Sequence, residues 1–202
     1  MNIRIAITGL PGSNKTLLAA ALSNMTGISY IRNKTMYEWR RMFNIPDSGN
    51  LEWKDMFVIA VSSFFKRANT ESCFDQFISD GASFSEWAWL KMHCAEQDEN
   101  LFQRGRSKII ESLERLTASY AAQQYDLIVH VNNPINNGSS DVYVQLYKKY
   151  GIPYKIYDAG ALEKTLQRII FDMNLPIINA VEGSIYKAKN DFFLNNKSNK
   201  YK

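Results

Sequence analysis

The sequence predicts a doubly wound α/β fold, with a parallel sheet of about five strands and helices on both of its faces. Short apolar runs alternate with longer stretches of helical periodicity along most of the chain. The run YDLIVHV at 125–131 is continuously apolar, which is typical of a strand buried on both faces of a parallel sheet. A length of 202 residues, of which 46% are apolar, fits one domain with a substantial core. We assign residues 1–180 to this domain.

The predicted elements follow one another with short links. Strands are predicted at 2–8, 74–79, 125–131 and 154–157, and a further short apolar run lies at 28–31. Apolar residues at helical spacing predict helices over 15–25, 51–68, 101–122 and 162–173. Two more helix starts are predicted from the spacing of a capping box, in Thr35 with Glu38 and in Ser83 with Glu86.

The charge of the chain is mild and partly concentrated at its end. There are 24 Lys and Arg against 20 Asp and Glu, which gives a formal net charge of +4. Residues 181–202 are rich in Asn and Lys and show no convincing periodicity, so we predict a solvated basic tail there. Proteins that bind nucleic acid usually show a clustered basic face, and nucleic acid is therefore not an expected partner.

Membrane insertion and a structural metal are not expected. The most apolar run, 56–65, is too short to span a bilayer, and no secretory signal is visible, so a cytoplasmic location is predicted. The two cysteines, Cys73 and Cys94, do not have the spacing of metal ligands. A zinc site that combines them with His93 and His130 is arithmetically possible, but core or surface roles are favoured. We expect no metal except one that a nucleotide carries.

The segment TGLPGSNKT at 8–16 differs at one position from the phosphate-binding motif G-x-x-x-x-G-K-S/T, because Asn14 stands where the motif has its second glycine. It lies between a predicted strand and a predicted helix. Backbone N–H groups of such a loop, together with the helix N-terminus, hold phosphate oxygens. Asn is among the residues that best tolerate a positive φ. The predicted phosphate-binding residues are Gly9, Leu10, Pro11, Gly12, Ser13, Asn14, Lys15 and Thr16.

Two side chains of this segment carry chemistry beyond the backbone. Lys15 supplies a mobile charge for the β- and γ-phosphates, and the Thr16 hydroxyl is a predicted magnesium ligand. Asp80 follows a predicted strand, where its carboxylate can hold the same ion or its water, or accept a proton from an attacking hydroxyl. The alternatives are a Gly/Pro turn at 9–12 that binds nothing and an aspartate at 80 that only caps a turn.

The order of these segments resembles that of the nucleoside monophosphate kinases and of related bacterial ATP-binding nucleoside kinases. The resemblance rests on TGLPGSNKT with its helix, FISDGASFSEWAWL, YDLIVHV and YKIYDAGALEKTLQRI, and it covers about residues 2–173. It implies the fold of P-loop-containing nucleoside triphosphate hydrolases, with ATP and Mg²⁺ as cofactors. It also implies transfer of the γ-phosphoryl group of ATP to a small acceptor, such as a nucleotide or a nucleoside.

The resemblance assigns further roles along the chain. The segment 32–72 corresponds to the acceptor-binding region, in which Arg40 and Arg41 are the predicted anion-binding pair. Trp39, beside them, is either a core residue or a platform on which an acceptor base stacks. The turn after the last strand corresponds to the adenine contact, and its residues are Asp158, Ala159 and Gly160.

Two departures from the family pattern concern arginines. The family has an arginine shortly after the aspartate of its third motif, whereas here Asp80 is followed by Gly81, Ala82, Ser83 and Phe84. The lid-like segment 132–153 contains no arginine. Either Arg104 and Arg106 supply the missing catalytic charge, or they form a solvated basic turn and the protein is a slow or inactive relative. In the second case the chain is a nucleotide-binding module or switch. The sequence leaves the acceptor and the oligomeric state open.

Overall fold

The computed structural model describes residues 3–9, 12–46, 51–94, 101–132, 140–158 and 160–198. Within them, five strands and eight helices follow in chain order: β1 (Arg4–Gly9), α1 (Lys15–Thr26), β2 (Tyr30–Ile31), α2 (Met36–Met42), α3 (Trp53–Glu71), β3 (Phe77–Asp80), α4 (Ser85–Cys94), α5 (Leu101–Gln124), β4 (Leu127–Asn132), α6 (Ser140–Tyr150), β5 (Tyr154–Asp158), α7 (Leu162–Met173) and α8 (Val181–Ser198).

The strands form one parallel sheet in the order β2-β3-β1-β4-β5. Strand β1 lies at its centre and pairs with β3 on one side and with β4 on the other, so that Ile7 is opposite Asp80 and Thr8 is opposite His130. All strands therefore end at the same edge of the sheet. The predicted fold class is confirmed. The strands that end at Gly9 and at Asp80 are neighbours, which brings Asp80 to the edge where the loop after β1 begins.

Two apolar cores cover the two faces of the sheet, because successive strand residues point to opposite sides. Ile5 and Ile7 of β1 face a core that α1, α7 and α8 complete. Ala6 faces the other core, which contains residues of α3, α4, α5 and α6. The continuously apolar character of β1 and β4 follows from this double coverage, since both faces of each strand are buried.

One of the two predicted capping boxes is present. The Thr35 hydroxyl accepts from the Glu38 backbone N–H at 3.2 Å, and the Glu38 carboxylate accepts from the Thr35 N–H at 2.7 Å. The other prediction is wrong: α4 begins at Ser85, and the Ser83 hydroxyl instead donates to the carbonyl of Thr117 on α5. Ser83 and Glu86 therefore do not cap the helix together. In the fold each has a tertiary hydrogen-bond partner instead, Thr117 for Ser83 and Ser63 for Glu86.

The chain end contains a helix where the sequence predicted a solvated tail. Helix α8 packs on α1, with Ser184 and Ala188 buried, and Asn24 Nδ2 donates to the Ser184 carbonyl at 3.3 Å. The buried stripe consists mainly of small residues, so apolar periodicity does not reveal it. The segment's lysines at 187 and 189 are exposed, as its composition suggested.

No helix in the part of the chain that the structure describes is long and apolar enough to cross a membrane. Within the same residues, no group of three or more His, Cys, Asp or Glu side chains could hold a metal ion. Cys73 is exposed and His130 is buried in the core between β4 and α6.

Candidate functional site

Three described residues from Gly9 to Asn14, between β1 and α1, have positive φ angles. Gly9 has φ 151°, and a Cβ there would collide with the Val131 carbonyl oxygen of the neighbouring strand. Gly12 has φ 83° and Asn14 has φ 57°, in the left-handed region. The positive φ at Asn14 is the conformation that glycine would supply in the standard motif. Leu10 and Pro11, which belong to the predicted loop, lie outside the described residues.

Helix α1 starts inside this loop with its N-terminus open to solvent. Its first hydrogen bond runs from the Leu18 N–H to the Asn14 carbonyl, and the Asn14 side chain makes no capping hydrogen bond. The first turn contains no acidic residue. The N–H groups of a helix's first turn have no acceptor within the helix, and together with the helix dipole they favour an anion at this end. The Ser13 side chain is buried, and its Oγ has no hydrogen-bond partner among the described residues.

A hydroxyl and a carboxylate meet beside this helix N-terminus. Thr16 Oγ1 donates to Asp80 Oδ1 at 3.2 Å, and the Tyr30 hydroxyl donates to Asp80 Oδ2 at 3.4 Å. Asp80 is 7% exposed. It ends β3 opposite Ile7, which brings its carboxylate to the edge where β1 leads into the loop. The structure thus brings together the two residues that the sequence selected as metal ligands.

Burial dominates the electrostatics at this point. It raises the pKa of Asp80, whereas the Thr16 hydrogen bond and the charge of Lys15 lower it. Burial lowers the pKa of Lys15, and Asp80 opposes this change. The ammonium and the carboxylate therefore stabilise each other's charged forms. A polyanionic ligand would stabilise the charged lysine further, because it adds negative charge at the same place.

On the other face of β3 lies a buried arginine that the sequence did not single out. Arg67, on α3, is 3% exposed. Its Nη1 donates to Ser79 Oγ (3.1 Å), to the Asp80 carbonyl (3.2 Å) and to the Gly81 carbonyl (2.9 Å). A Cβ at Gly81 would lie 3.1 Å from Arg67 Nη2. The guanidinium therefore lies directly beside the backbone that follows Asp80.

The pattern of α3 contains the signal that could have revealed Arg67. The buried residues of this helix form one stripe, and three of them are polar: Ser63, Arg67 and Glu71. Their spacing of four residues places them on one helical face with the apolar core residues. A polar side chain on an apolar stripe must find partners.

The predicted acceptor-binding residues of α2 have partners of their own. Trp39 is buried and stacks on Phe43 with ring centroids 5.9 Å apart, so it is a core residue here. Arg40 Nη1 donates to the Pro46 carbonyl at 2.8 Å, and the Arg41 guanidinium lies 5.8 Å from the Tyr37 ring centroid. These contacts hold both arginines against their own helix and the turn that follows it.

The remaining predicted site residues lie on α5 and at the end of β5. The Arg106 guanidinium lies over the Trp53 ring, 5.4 Å from its centroid. Arg104 lies in the same helix, but its side chain is outside the described ones. Asp158 is exposed and opposite Asn132, at the same sheet edge as Asp80, and Gly160 follows it. Ala159 is outside the described residues.

Comparison with known proteins identifies the fold. The sequence matches no protein-family model and no curated protein. Among solved structures, deoxyadenosine kinase from M. mycoides with bound dATP is similar, with a TM-score of 0.60 and 13% identity over 85% of this chain and 100% of that one. Two further structures are more distant. The YorR protein of Bacillus subtilis in complex with phosphorylated GDP has a TM-score of 0.43 and 17% identity, over 84% of this chain and 95% of that one. A sugar kinase from Janibacter sp. has a TM-score of 0.37 and 11% identity, over 87% of this chain and 96% of that one.

At 13% identity the likeness to the deoxyadenosine kinase establishes the fold alone. This chain shares the fold of that kinase. The loop after β1 and Asp80 both lie at the carboxyl edge of the strands, which is where doubly wound sheets bind their ligands.

Proposed function

We propose that this protein is a kinase that transfers the γ-phosphoryl group of Mg-ATP to a small acceptor, such as a nucleoside or a nucleotide. The observation that carries the proposal is the contact of the Thr16 hydroxyl with the Asp80 carboxylate, 3.2 Å apart, next to Lys15 at the start of α1. A phosphate cradle alone is found in many proteins. A cradle with a hydroxyl, a carboxylate and a lysine at the same point is suited to a nucleoside triphosphate with its metal ion.

The loop would hold the triphosphate through its backbone. The N–H groups from Gly12 to Thr16 and the dipole of α1 supply positive potential without a side chain. The buried Ser13 hydroxyl, which has no partner in the described part of the chain, would gain one in a phosphate oxygen. Lys15 would neutralise charge on the β- and γ-phosphates. The turn that contains Asp158 and Gly160, with Ala159, is the proposed contact for the adenine base.

Magnesium fits the donor atoms at this place. Thr16 Oγ1 and the two oxygens of Asp80 are hard ligands, and Mg²⁺ is bound by a few such oxygens together with phosphates and water. Thr16 and Asp80 would hold the ion directly or through water. When bound, it would neutralise charge on the phosphates. Neutralisation of the transferred group by Arg104 or Arg106 stays a prediction.

A second candidate function is a nucleotide-binding module or switch with little phosphotransfer. It is favoured by the contacts of Arg40 with Pro46 and of Arg106 with Trp53, which engage two of the arginines that were candidates for charge neutralisation. Release of ADP from Mg-ATP, measured with and without nucleosides and their monophosphates, separates the two. An acceptor-dependent rate indicates a kinase. Binding without acceptor-dependent turnover indicates a module.

Lys15→Ala is expected to weaken ATP binding by at least about tenfold while leaving adenosine binding nearly unchanged, since the ammonium contacts phosphate and not the base. Calorimetric titration of parent and variant with each ligand, in the presence of magnesium, measures this. An equal loss for both ligands would indicate a folding defect. If the parent protein binds neither ligand, nucleotide binding itself is refuted.

Asn14→Gly is expected to bind Mg-ATP as tightly as the parent, or several-fold more tightly, with the fold unchanged. Asn14 holds φ 57° and ψ 19° without a side-chain cap, and glycine adopts this conformation without the penalty, on the order of 1 kcal/mol, that a side chain carries. The same titration tests it. A clear loss of affinity would show that the Asn14 amide itself is a phosphate ligand.

A further inference from the structure

The side chain of Asp80 is held from two sides, and one of the two supporting residues has no role in the function proposed above. Thr16 Oγ1 donates to Oδ1 at 3.2 Å, and the Tyr30 hydroxyl donates to Oδ2 at 3.4 Å. Thr16 belongs to α1, which follows the central strand β1, and Tyr30 belongs to the edge strand β2. The carboxylate at the end of β3 is therefore supported from the sides of both neighbouring strands.

The register of β2 on β3 explains why a tyrosine reaches this carboxylate. Tyr30 is opposite Ile78, and Ile31 is opposite Ser79. Side chains alternate between the two faces of a sheet, so Asp80 lies on the same face as Ile78 and about 6.6 Å further along the strand. Tyr30 packs against the core on that face, and its long ring carries the hydroxyl to the end of β3. A short side chain at position 30 would not span this distance.

The direction of the hydrogen bond between Tyr30 and Asp80 is fixed by their chemistry. An ionised carboxylate only accepts hydrogen bonds, whereas a phenol hydroxyl donates as long as it keeps its proton. Burial raises the pKa of Tyr30 above the ordinary value for tyrosine, and the charge and hydrogen bond of Asp80 raise it further, whereas Arg32 opposes them. The Tyr30 hydroxyl therefore stays protonated and donates to Oδ2.

The main chain at Asp80 is fixed independently of its side chain. Arg67 Nη1 donates to the Asp80 carbonyl at 3.2 Å from the other face of the sheet, and the Gly81 N–H donates to the backbone of β1 at 2.7 Å. The freedom that Asp80 retains is rotation about its own side-chain bonds. Thr16 and Tyr30 restrict this rotation, because each of them holds one of the two carboxylate oxygens.

The two hydrogen bonds leave the carboxylate able to bind a metal ion. The oxygens of an ionised carboxylate offer about four lone-pair sites, and these contacts use one site on each oxygen. Mg²⁺ demands near-ideal octahedral geometry, so a carboxylate that is already oriented binds it more tightly than one that rotates freely. Groups that orient metal ligands in this way typically contribute about 10- to 100-fold in metal affinity or activity.

We propose that Tyr30 is a positioning residue for the magnesium ion of the phosphoryl transfer, and that it acts by orienting the carboxylate of Asp80. The inference rests on the kinase function proposed above and deepens it. Thr16 and Asp80 remain the proposed ligands, and Tyr30 itself would contact neither the nucleotide nor the ion. Its contribution to ATP binding should therefore appear only when magnesium is present.

Tyr157, on β5, is the matched control, because it resembles Tyr30 in the features that concern stability. Its ring packs into the same core, and its hydroxyl donates to a carboxylate oxygen, Asp172 Oδ2, at 2.9 Å. Asp172 lies on α7 and belongs to no proposed site. Tyr157→Phe and Tyr30→Phe thus each remove one hydroxyl that donates to a carboxylate, but only Tyr30→Phe removes it from Asp80.

The test measures how much magnesium tightens the binding of ATP. Calorimetry gives the Kd of ATP in EDTA and in excess magnesium, and the magnesium ratio is defined as the first Kd divided by the second. It is determined for the parent, for Tyr30→Phe, Tyr157→Phe and Asp80→Asn, and for the double variant of Tyr30→Phe with Asp80→Asn. Thermal melting without ligand reports the fold of each protein, and all titrations are made well below the lowest melting temperature.

We expect Tyr30→Phe to lower the magnesium ratio by about tenfold, while its Kd for ATP in EDTA stays within about twofold of the parent's. Tyr157→Phe should keep the magnesium ratio of the parent, whatever the change in its melting temperature. Asp80→Asn should lower the ratio further than Tyr30→Phe does. Adding Tyr30→Phe to Asp80→Asn should change the ratio no more, because both residues act through one carboxylate.

Three results would overturn the inference and leave the kinase proposal standing. The first is a magnesium ratio of Tyr30→Phe equal to that of the parent. The second is an equal fall of the ratio in Tyr30→Phe and Tyr157→Phe, and the third is a further fall when Tyr30→Phe is added to Asp80→Asn. If magnesium does not tighten ATP binding by the parent, the magnesium roles of Asp80 and Tyr30 both fail, although nucleotide binding stands. If the parent does not bind ATP at all, the kinase proposal fails first, and the role of Tyr30 falls with it.

Discussion

Arg67→Met is expected to lower the free energy of unfolding by about 3–5 kcal/mol, as is found when one partner of a buried ion pair is removed. The Arg67 side chain is 1% exposed, and its partner Glu86 is 14% exposed. Methionine would fill much of the volume but provides no donor. The Glu86 charge would then be left without a cation, and the Ser79 hydroxyl and the carbonyls of Asp80 and Gly81 would each lose a donor.

The charge on Arg67 persists in spite of its burial. Burial alone would lower the pKa of this guanidinium, but Glu86 and the nearby acidic groups outweigh it and raise the pKa. The cost of the substitution therefore includes a charged partner and not only hydrogen bonds. Urea denaturation monitored by circular dichroism measures the change in unfolding free energy.

Arg115→Met is the matched control for this prediction. Arg115 lies on α5 with its side chain 72% exposed, and it pairs with Glu111 one turn away. Its replacement should change the unfolding free energy by no more than about 0.5 kcal/mol. A loss below about 1 kcal/mol for Arg67→Met would show that the buried contacts of Arg67 with Glu86 and the end of β3 are not tightly coupled.

His130 is expected to make the protein less stable in acid, by about 2–3 kcal/mol between pH 7 and pH 4.5. This histidine is 1% exposed, its Nδ1 lies 2.9 Å from the Tyr147 hydroxyl oxygen, and burial lowers its pKa to about 4. The fold thus prefers the neutral ring, whereas the unfolded chain binds a proton near pH 6.5. The stabilisation that the neutral His130 ring gives the fold is complete above pH 6.5, and it is lost as the pH falls towards 4.

Other groups titrate in this range with the opposite sign, so a variant is needed to isolate His130. Burial raises the pKa of Glu71 and of Asp80, and their contribution to stability therefore decreases as the pH rises. His130→Asn keeps a polar atom near the Tyr147 hydroxyl and does not titrate. The difference in unfolding free energy between pH 7 and pH 4.5 should be smaller in this variant than in the parent by about 2–3 kcal/mol. Equal differences in parent and variant would contradict the assignment.

Most of the sheet, and the contact between Thr16 and Asp80, were predictable because their signals are local. The strand at the N-terminus, the glycines and Lys15-Thr16 lie in one short segment, and their spacing alone predicts a phosphate loop. Asp80 follows an apolar run, and parallel strands end at one edge of a sheet. Its position beside Thr16 therefore follows from topology once the fold class is known.

The surroundings of Arg67 and Glu86 were not predictable, because they depend on contacts between distant residues. Glu86 was assigned to a capping box with Ser83, since the spacing fits, but Ser63, Asn33 and Arg67 surround its carboxylate in the fold. Arg67 lies within a helix that reads as apolar, 14 residues before the Gly81 whose carbonyl it holds. No local pattern indicates which helix face meets the end of β3.

Helix α8 was missed for a similar reason. Its buried face is made by small residues such as Ser184 and Ala188, and the charged and amide side chains around them dominate its composition. Small residues allow close packing on α1 without raising the apolar periodicity. Such a helix is stabilised by its tertiary contacts and not by its own amphipathic pattern.

The central claim is that the γ-phosphoryl group of ATP passes to a small acceptor in this protein. Incubation of the purified protein with Mg-ATP and a mixture of nucleosides, followed by mass spectrometry, tests it most directly. The account predicts a phosphorylated nucleoside in amounts equal to the ADP formed, and no such product with Lys15→Ala. Formation of ADP and free phosphate without a phosphorylated acceptor, or no ADP although Mg-ATP binds, would contradict it.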